Sequence, residues 1–76
     1  MERENNICIL FGKRVKDLRQ LTGLSQEKFA LKVGLDRSYF ASIEGGKRNV
    51  SLLNIEKIAT GLDISLSELF KEIDVK

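Results

Sequence analysis

The residues with the most chemistry to offer lie in one third of the chain. They are Gln26, then Arg37, Ser38, Tyr39 and Ser42, then Lys47, Arg48, Asn49 and Asn54. All are hydrogen-bonding or cationic side chains of the types that meet nucleic acid. An arginine pairs bidentately with the O6 and N7 of guanine, a contact worth about 1–3 kcal/mol of discrimination. Ser38 and Ser42 are short base-contact candidates that can donate or accept, so their base preference is open. Tyr39 can hydrogen-bond a phosphate or pack against a thymine methyl or a sugar. Lys47, Arg48 and Asn49 suit the flanking phosphates. Gln26 can turn its side chain and backbone N–H toward a phosphate, and Asn54 can reach the backbone from a later helix. Each has a plainer alternative: a solvated surface charge, or half-buried packing for Tyr39.

These groups need a scaffold, and residues 26–44, QEKFALKVGLDRSYFASIE, supply one. Apolar or small side chains at Phe29, Ala30, Val33, Leu35, Phe40 and Ile43 have the spacing of two short amphipathic helices. Gly34 falls between them, where the chain must turn, and Asp36 is an N-cap residue for the second. The pattern is a helix-turn-helix, with one helix to brace and one to enter the major groove. Arg37, straight after the cap, sits in the turn that enters the groove first.

The flanking sequence predicts further short helices. A first helix is expected from about Asn6 to Leu21, after a polar, frayed stretch at 1–5. Its inner face is Leu10 or Phe11, Val15, Leu18, and Leu21 or Thr22. Gly12 costs that helix about 1 kcal/mol relative to alanine, which points to a neighbouring helix crossing closely. Gly23 is a left-handed C-cap candidate, and Ser25 caps the second helix. Gly45-Gly46 stops the third. Ser51 caps a fourth, expected to end near Thr60-Gly61, with Leu52, Ile55, Ile58, Ala59 and Leu62 on its apolar face. Ser65-Leu66-Ser67-Glu68 is a capping box opening a fifth helix that carries Leu69, Phe70 and Ile73. The expected fold is therefore all-α, five short helices in one domain over residues 1–76.

Composition narrows the function. At 76 residues the core supplies only about 3–5 kcal/mol, so gaining stability from a second copy is a reasonable expectation. There is no histidine, and the single cysteine, Cys8, reads as a small apolar residue; neither a disulfide nor a zinc site can be built. No metal, cofactor or small-molecule ligand is expected. An enzyme is the weakest option, because nucleophile candidates have no base beside them and Gly45-Gly46-Lys47 lacks phosphate-loop spacing. No apolar run approaches the roughly 20 residues that cross a bilayer. With no signal-peptide pattern, Asn49-Val50-Ser51 is a chance glycosylation match and a cytoplasmic location is expected. The net charge is only +2, but residues 1–50 carry ten basic and six acidic side chains and residues 51–76 three and five. The basic surplus thus accompanies the helix-turn-helix, leaving the other end for a different contact.

Arg19 and Glu44 form a further pair of interest. Each closes a helix, and an ion pair would lock the two together if those helices pack. Spacing alone leaves open whether they are paired or independent surface charges.

With these residues in place, the chain resembles the phage-repressor-like (Cro/cI, XRE) helix-turn-helix transcription regulators. The resemblance runs from Phe11 to Phe70 through FGKRVKDLRQLTGLSQEKFA, VGLDRSYFASIEGGKRNVSL and IEKIATGLDISLSELF. Within that family, LDRSYFASIEGGKRN followed by NIEKIATGL is similar to the small controller proteins of restriction–modification systems. The resemblance implies a five-helix repressor-like domain that binds double-stranded operator DNA as a homodimer. It implies base-proximal roles for Arg37, Ser38 and Tyr39, with Gln26, Ser42, Lys47, Arg48 and Asn49 in support. It also favours an Arg19–Glu44 ion pair. For the controller group it implies a dimer built from the fourth and fifth helices, with Ile64, Phe70 and Ile73 expected at the interface. Such proteins bind tandem palindromic sites, activating and then repressing their own promoter. Val50 departs from the family, where many relatives have proline, and Ala41 is short for a base-reading position. Glu27 and neighbouring acidic residues are the groups that would meet RNA polymerase. The competing expectation is an antitoxin or similar protein-interaction module on the same fold, motivated by the apolar Phe70, Ile73 and Val75.

Overall fold

In the computed structural model, the backbone is described for residues 2–73 and side chains from residue 7 onward. Val75, grouped above with Phe70 and Ile73, lies outside the described residues. The chain folds into α1 (Glu2–Thr22), α2 (Gln26–Val33), α3 (Arg37–Glu44), α4 (Leu52–Leu62) and α5 (Leu66–Leu69). This is the all-α, five-helix arrangement expected from periodicity.

The helix starts follow the capping residues. The hydroxyls of Ser25, Ser51 and Ser65 and the carboxylate of Asp36 each accept a backbone N–H three residues on, at 3.0–3.1 Å. Three boundaries depart from expectation. Helix α1 begins at Glu2, so residues 2–5 extend it instead of fraying; strong helix formers, Glu and Arg, continue the hydrogen-bonded ladder there. Helix α4 runs through Gly61 to Leu62 and is closed by Asp63 in the left-handed region (φ 61°). Gly61 is a packing residue instead of a stop, because a Cβ there would collide with Val33 and meet Phe29 Cζ at 3.2 Å. Helix α5 is a single turn, so Phe70 is its C-cap and Ile73 lies past its end.

The core draws on every helix. Phe11 and Val15 of α1, Phe29 and Ala30 of α2, Phe40 and Ile43 of α3, Ile58, Ala59 and Leu62 of α4, and Leu69 of α5 are buried together. Phe29 and Phe40 bring the two motif helices into contact, their ring centroids 5.2 Å apart and tilted by 43°. Gly12 lets α1 lie directly on the end of α3: a Cβ there would stand 2.7 Å from the Glu44 carbonyl oxygen and closer still to that of Ile43. Leu21 and Leu52, both expected on inner faces, are instead 84% and 83% exposed. Leu21 lies beyond the last core contact of α1, and Leu52 is the first residue of α4, ahead of its buried face.

Arg14 fastens the short α5. Its guanidinium donates to the carbonyl oxygens of Leu69 (3.2 Å) and Glu68 (2.7 Å) and to the Glu68 carboxylate (3.2 Å). A cation at the C-terminal carbonyls satisfies groups that the helix itself leaves open. The Glu68 carboxylate of the expected capping box is therefore turned to α1.

Candidate nucleic-acid interface

The turn between α2 and α3 is set by local hydrogen bonds. Gly34 adopts φ 75°, and its N–H bonds to the Ala30 and Leu31 carbonyls. The Leu35 N–H bonds back to Ala30 O at 2.9 Å, completing a Schellman-type closure. Two residues later Asp36 Oδ2 accepts the Tyr39 N–H at 3.0 Å, and α3 begins. Phe40 and Ile43 are buried, so the opposite face of α3 looks outward.

On that outward face Arg37 and Ser38 are exposed. Among the described residues neither side chain is engaged in a hydrogen bond or ion pair. Lys47 and Asn49, in the loop after α3, are likewise exposed and uncommitted among the described residues. These four are available to an incoming duplex without breaking anything.

The remaining candidates are tied to one another. The Ser42 hydroxyl donates to the Tyr39 carbonyl (2.6 Å) and accepts from Arg48 Nε (2.9 Å). The Arg48 guanidinium carbon lies 5.5 Å from the centroid of the Tyr39 ring, within cation–π range. Asn54 Nδ2 donates to the Tyr39 hydroxyl at 3.1 Å. Ser42, grouped above with the base contacts, is thus engaged in holding Arg48. Asn54, expected at a phosphate, is turned to Tyr39. The reason is packing: α4 brings Asn54 against α3, and Arg48 folds back over the same helix.

Behind α3 lies the Arg19–Glu44 pair. Arg19 Nε donates to Glu44 Oε2 at 2.7 Å, and another guanidinium nitrogen to Oε1 at 3.1 Å. The pair is bidentate, with side chains 9% and 2% exposed. Arg19 also donates to the Leu24 carbonyl (2.8 Å), and Gln26 Nε2 donates to Glu44 Oε1 (2.8 Å). Among the described residues no buried side-chain polar atom lacks a partner. Gln26 was expected to offer its side chain to a phosphate. One of its amide N–H groups is used on Glu44, which ties the start of α2 to the end of α3. The network joins the end of α1, the start of α2 and the end of α3, so it sets the angle at which α3 is presented.

The expected dimer residues divide. Ile64 and Ile73 are half-buried against the chain's own core, whereas Phe70 is 38% exposed and stacked on Phe11 (centroids 5.5 Å apart). Sequence reading missed the accompanying exposed residues, Leu52, Leu53 and Leu66. With Ile55, Glu56 and Phe70 they line a groove of about 260 Å³ on α4 and α5. The available signal was adjacency: Leu52 and Leu53, side by side in the first turn of a helix, cannot both point into one core.

The similarities to known proteins agree with this geometry. The helix-turn-helix family model matches residues 15–69. The chain is 59% identical over 71 residues to the control protein C.MunI of Mycoplasma sp, spanning 92% of this chain and 96% of that protein. It is similar in structure to the restriction–modification controller protein C.AhdI of Aeromonas hydrophila, with a TM-score of 0.80 and 56% identity over 83% of this chain and 96% of that one. It is also similar to the controller protein C.Esp1396I, solved as a tetramer with its natural 35 base-pair operator, with a TM-score of 0.80 and 31% identity over 88% of each chain.

Proposed function

The chain belongs to the helix-turn-helix transcription-regulator family, in the group of restriction–modification control proteins, and from that premise we propose that it is a homodimeric, sequence-specific operator-binding regulator of a restriction–modification system. The observation that carries this is the outward end of α3. It presents a capped, rigid helix start with Arg37 and Ser38 uncommitted, flanked by Lys47, Arg48 and Asn49. Arg37 and Ser38 are the base-reading pair. Lys47, Asn49 and the α2 N-terminus meet phosphates on either side. Arg48, held over Tyr39, completes the edge. The dimer is formed through Leu52, Leu53, Leu66 and Phe70, and binding two half-sites one turn of duplex apart requires its two α3 helices to stand roughly 34 Å apart. The protein acts in the cytoplasm, where operator DNA lies, and exposed Glu27 is the contact offered to RNA polymerase.

Selection of binding sites from random duplex DNA tests this. A palindromic consensus with half-sites one turn apart is expected; a protein that enriches no sequence at moderate salt sinks the reading. Arg37→Ala is expected to relax base choice at one position in each half-site, with a loss of about 1–3 kcal/mol per half-site of the selected operator. Unchanged affinity and unchanged consensus would remove Arg37 from the mechanism. Lys47→Ala is expected to weaken all sequences alike and to reduce the salt slope by about 1. A sequence-dependent loss, measured by titrations at several salt concentrations, would contradict a phosphate role.

A further inference from the structure

Tyr39 sits in a polarised setting that its residue type does not reveal. A tyrosine hydroxyl has one proton to donate and lone pairs to accept with. Here a lone pair is taken by Asn54 Nδ2 at 3.1 Å. The ring is covered by the Arg48 guanidinium, 5.5 Å from its centroid, and Arg48 is fixed in turn by its Nε bond to Ser42. Ser42 closes the loop by donating to the Tyr39 carbonyl at 2.6 Å. The hydroxyl oxygen therefore accepts from Asn54 inside the protein, and among the described residues no acceptor takes its proton. A hydroxyl that is already accepting also donates more strongly, because chained hydrogen bonds polarise one another.

We propose that Asn54 is a positioning residue for DNA recognition, which orients the Tyr39 hydroxyl to donate to a hydrogen-bond acceptor on the duplex. That acceptor is a phosphate oxygen or a base-edge acceptor such as guanine O6 or N7, adenine N7 or thymine O4. Asn54 itself touches no DNA; it acts through Tyr39. The inference rests on the operator-binding reading above.

A double-mutant cycle on the selected operator tests it, using the full chain. Asn54→Ala leaves the backbone N–H that the Ser51 hydroxyl accepts, so α4 keeps its cap and the melting temperature should hold. Tyr39→Phe and Asn54→Ala are each expected to weaken binding roughly 3–10-fold per half-site, the range of one net hydrogen bond. The double variant should bind no worse than Tyr39→Phe alone. If the acceptor is a phosphate oxygen, the Tyr39→Phe loss is uniform across operator variants; if it is a base edge, the loss vanishes once that base pair is changed. Tyr39 is the only tyrosine and there is no tryptophan, so tyrosine fluorescence anisotropy reads the ring directly. Faster local depolarisation is expected in Asn54→Ala without DNA. Losses that multiply in the double variant, or an Asn54→Ala protein that binds normally, would overturn the positioning role while leaving operator binding intact. A wild-type protein that selects no operator would take down both.

Discussion

Glu44→Ala is expected to leave about half of the molecules unfolded at room temperature without DNA. The carboxylate is nearly inaccessible, 2% exposed, and accepts from Arg19 twice and from Gln26. Removing it strands the Arg19 guanidinium among buried groups, at a cost of about 3–5 kcal/mol. A domain of this size has about that much stability in total. The loss is therefore comparable to the whole folding free energy, where the same substitution on the surface would scarcely register. Circular dichroism melts give the answer. A cooperative transition within about 1 kcal/mol of wild type would show that the pair contributes little. A double substitution, Arg19→Met with Glu44→Leu, separates charge from packing. It should recover much of the fold, because apolar residues of similar volume replace buried ion pairs at little cost. Saturating operator DNA should also raise the melting temperature of Glu44→Ala, since a ligand that binds only the folded state stabilises it by mass action.

Leu53→Glu is expected to separate the dimer and cost operator affinity at least about 100-fold. Leu53 is 71% exposed and Leu52 83%, on a helix whose buried face is Ile58, Ala59 and Leu62. The substitution leaves the core of the monomer untouched, so the fold and its helix content should persist. What changes is the apolar groove lined by Leu52, Leu53, Leu66 and Phe70, where in the proposed dimer two like carboxylates would now meet across the symmetry axis. Each monomer then binds its half-site alone and forfeits the gain of linked binding, commonly 10²–10⁴-fold. Sedimentation equilibrium and gel-shift titration read the two consequences separately. A Leu53→Glu protein of unchanged mass and unchanged affinity would place the dimer contact elsewhere.

Much of the molecule was legible in its residues, for reasons of range. Ser25, Asp36, Ser51 and Ser65 cap helices through bonds spanning three residues, so their meaning does not wait on packing. Gly34 turns the chain because the left-handed conformation there is a local matter. Phe29, Ala30, Phe40 and Ile43 are inside because spacing at three and four residues places them on one helix face. Gly12 was read as a close crossing from its cost alone, and the α3 carbonyls lie against it.

What the residue types left unread are the contacts to partners distant in the chain. Asn54 and Gln26 look like free polar groups at helix starts, each able to serve a phosphate. Each amide donates within the chain, Asn54 to Tyr39, 15 residues away, and Gln26 to Glu44, 18 residues away. Ser42 looks like a base reader, yet it holds Arg48. Leu52 appears to belong to a continuous apolar face and instead stands outside it. Nothing in the residue types distinguishes these alternatives, because an amide donates equally well to water, a phosphate or a tyrosine.

The sequence by itself therefore determined the helices, their caps, the turn within the motif and the basic character of its outward face, all consequences of interactions within a turn or two of helix. Only the tertiary structure decided which polar groups are left free. That depends on which helices cross; among the described residues it leaves Arg37, Ser38, Lys47 and Asn49 uncommitted, while Gln26, Ser42, Arg48 and Asn54 are tied into contacts within the chain.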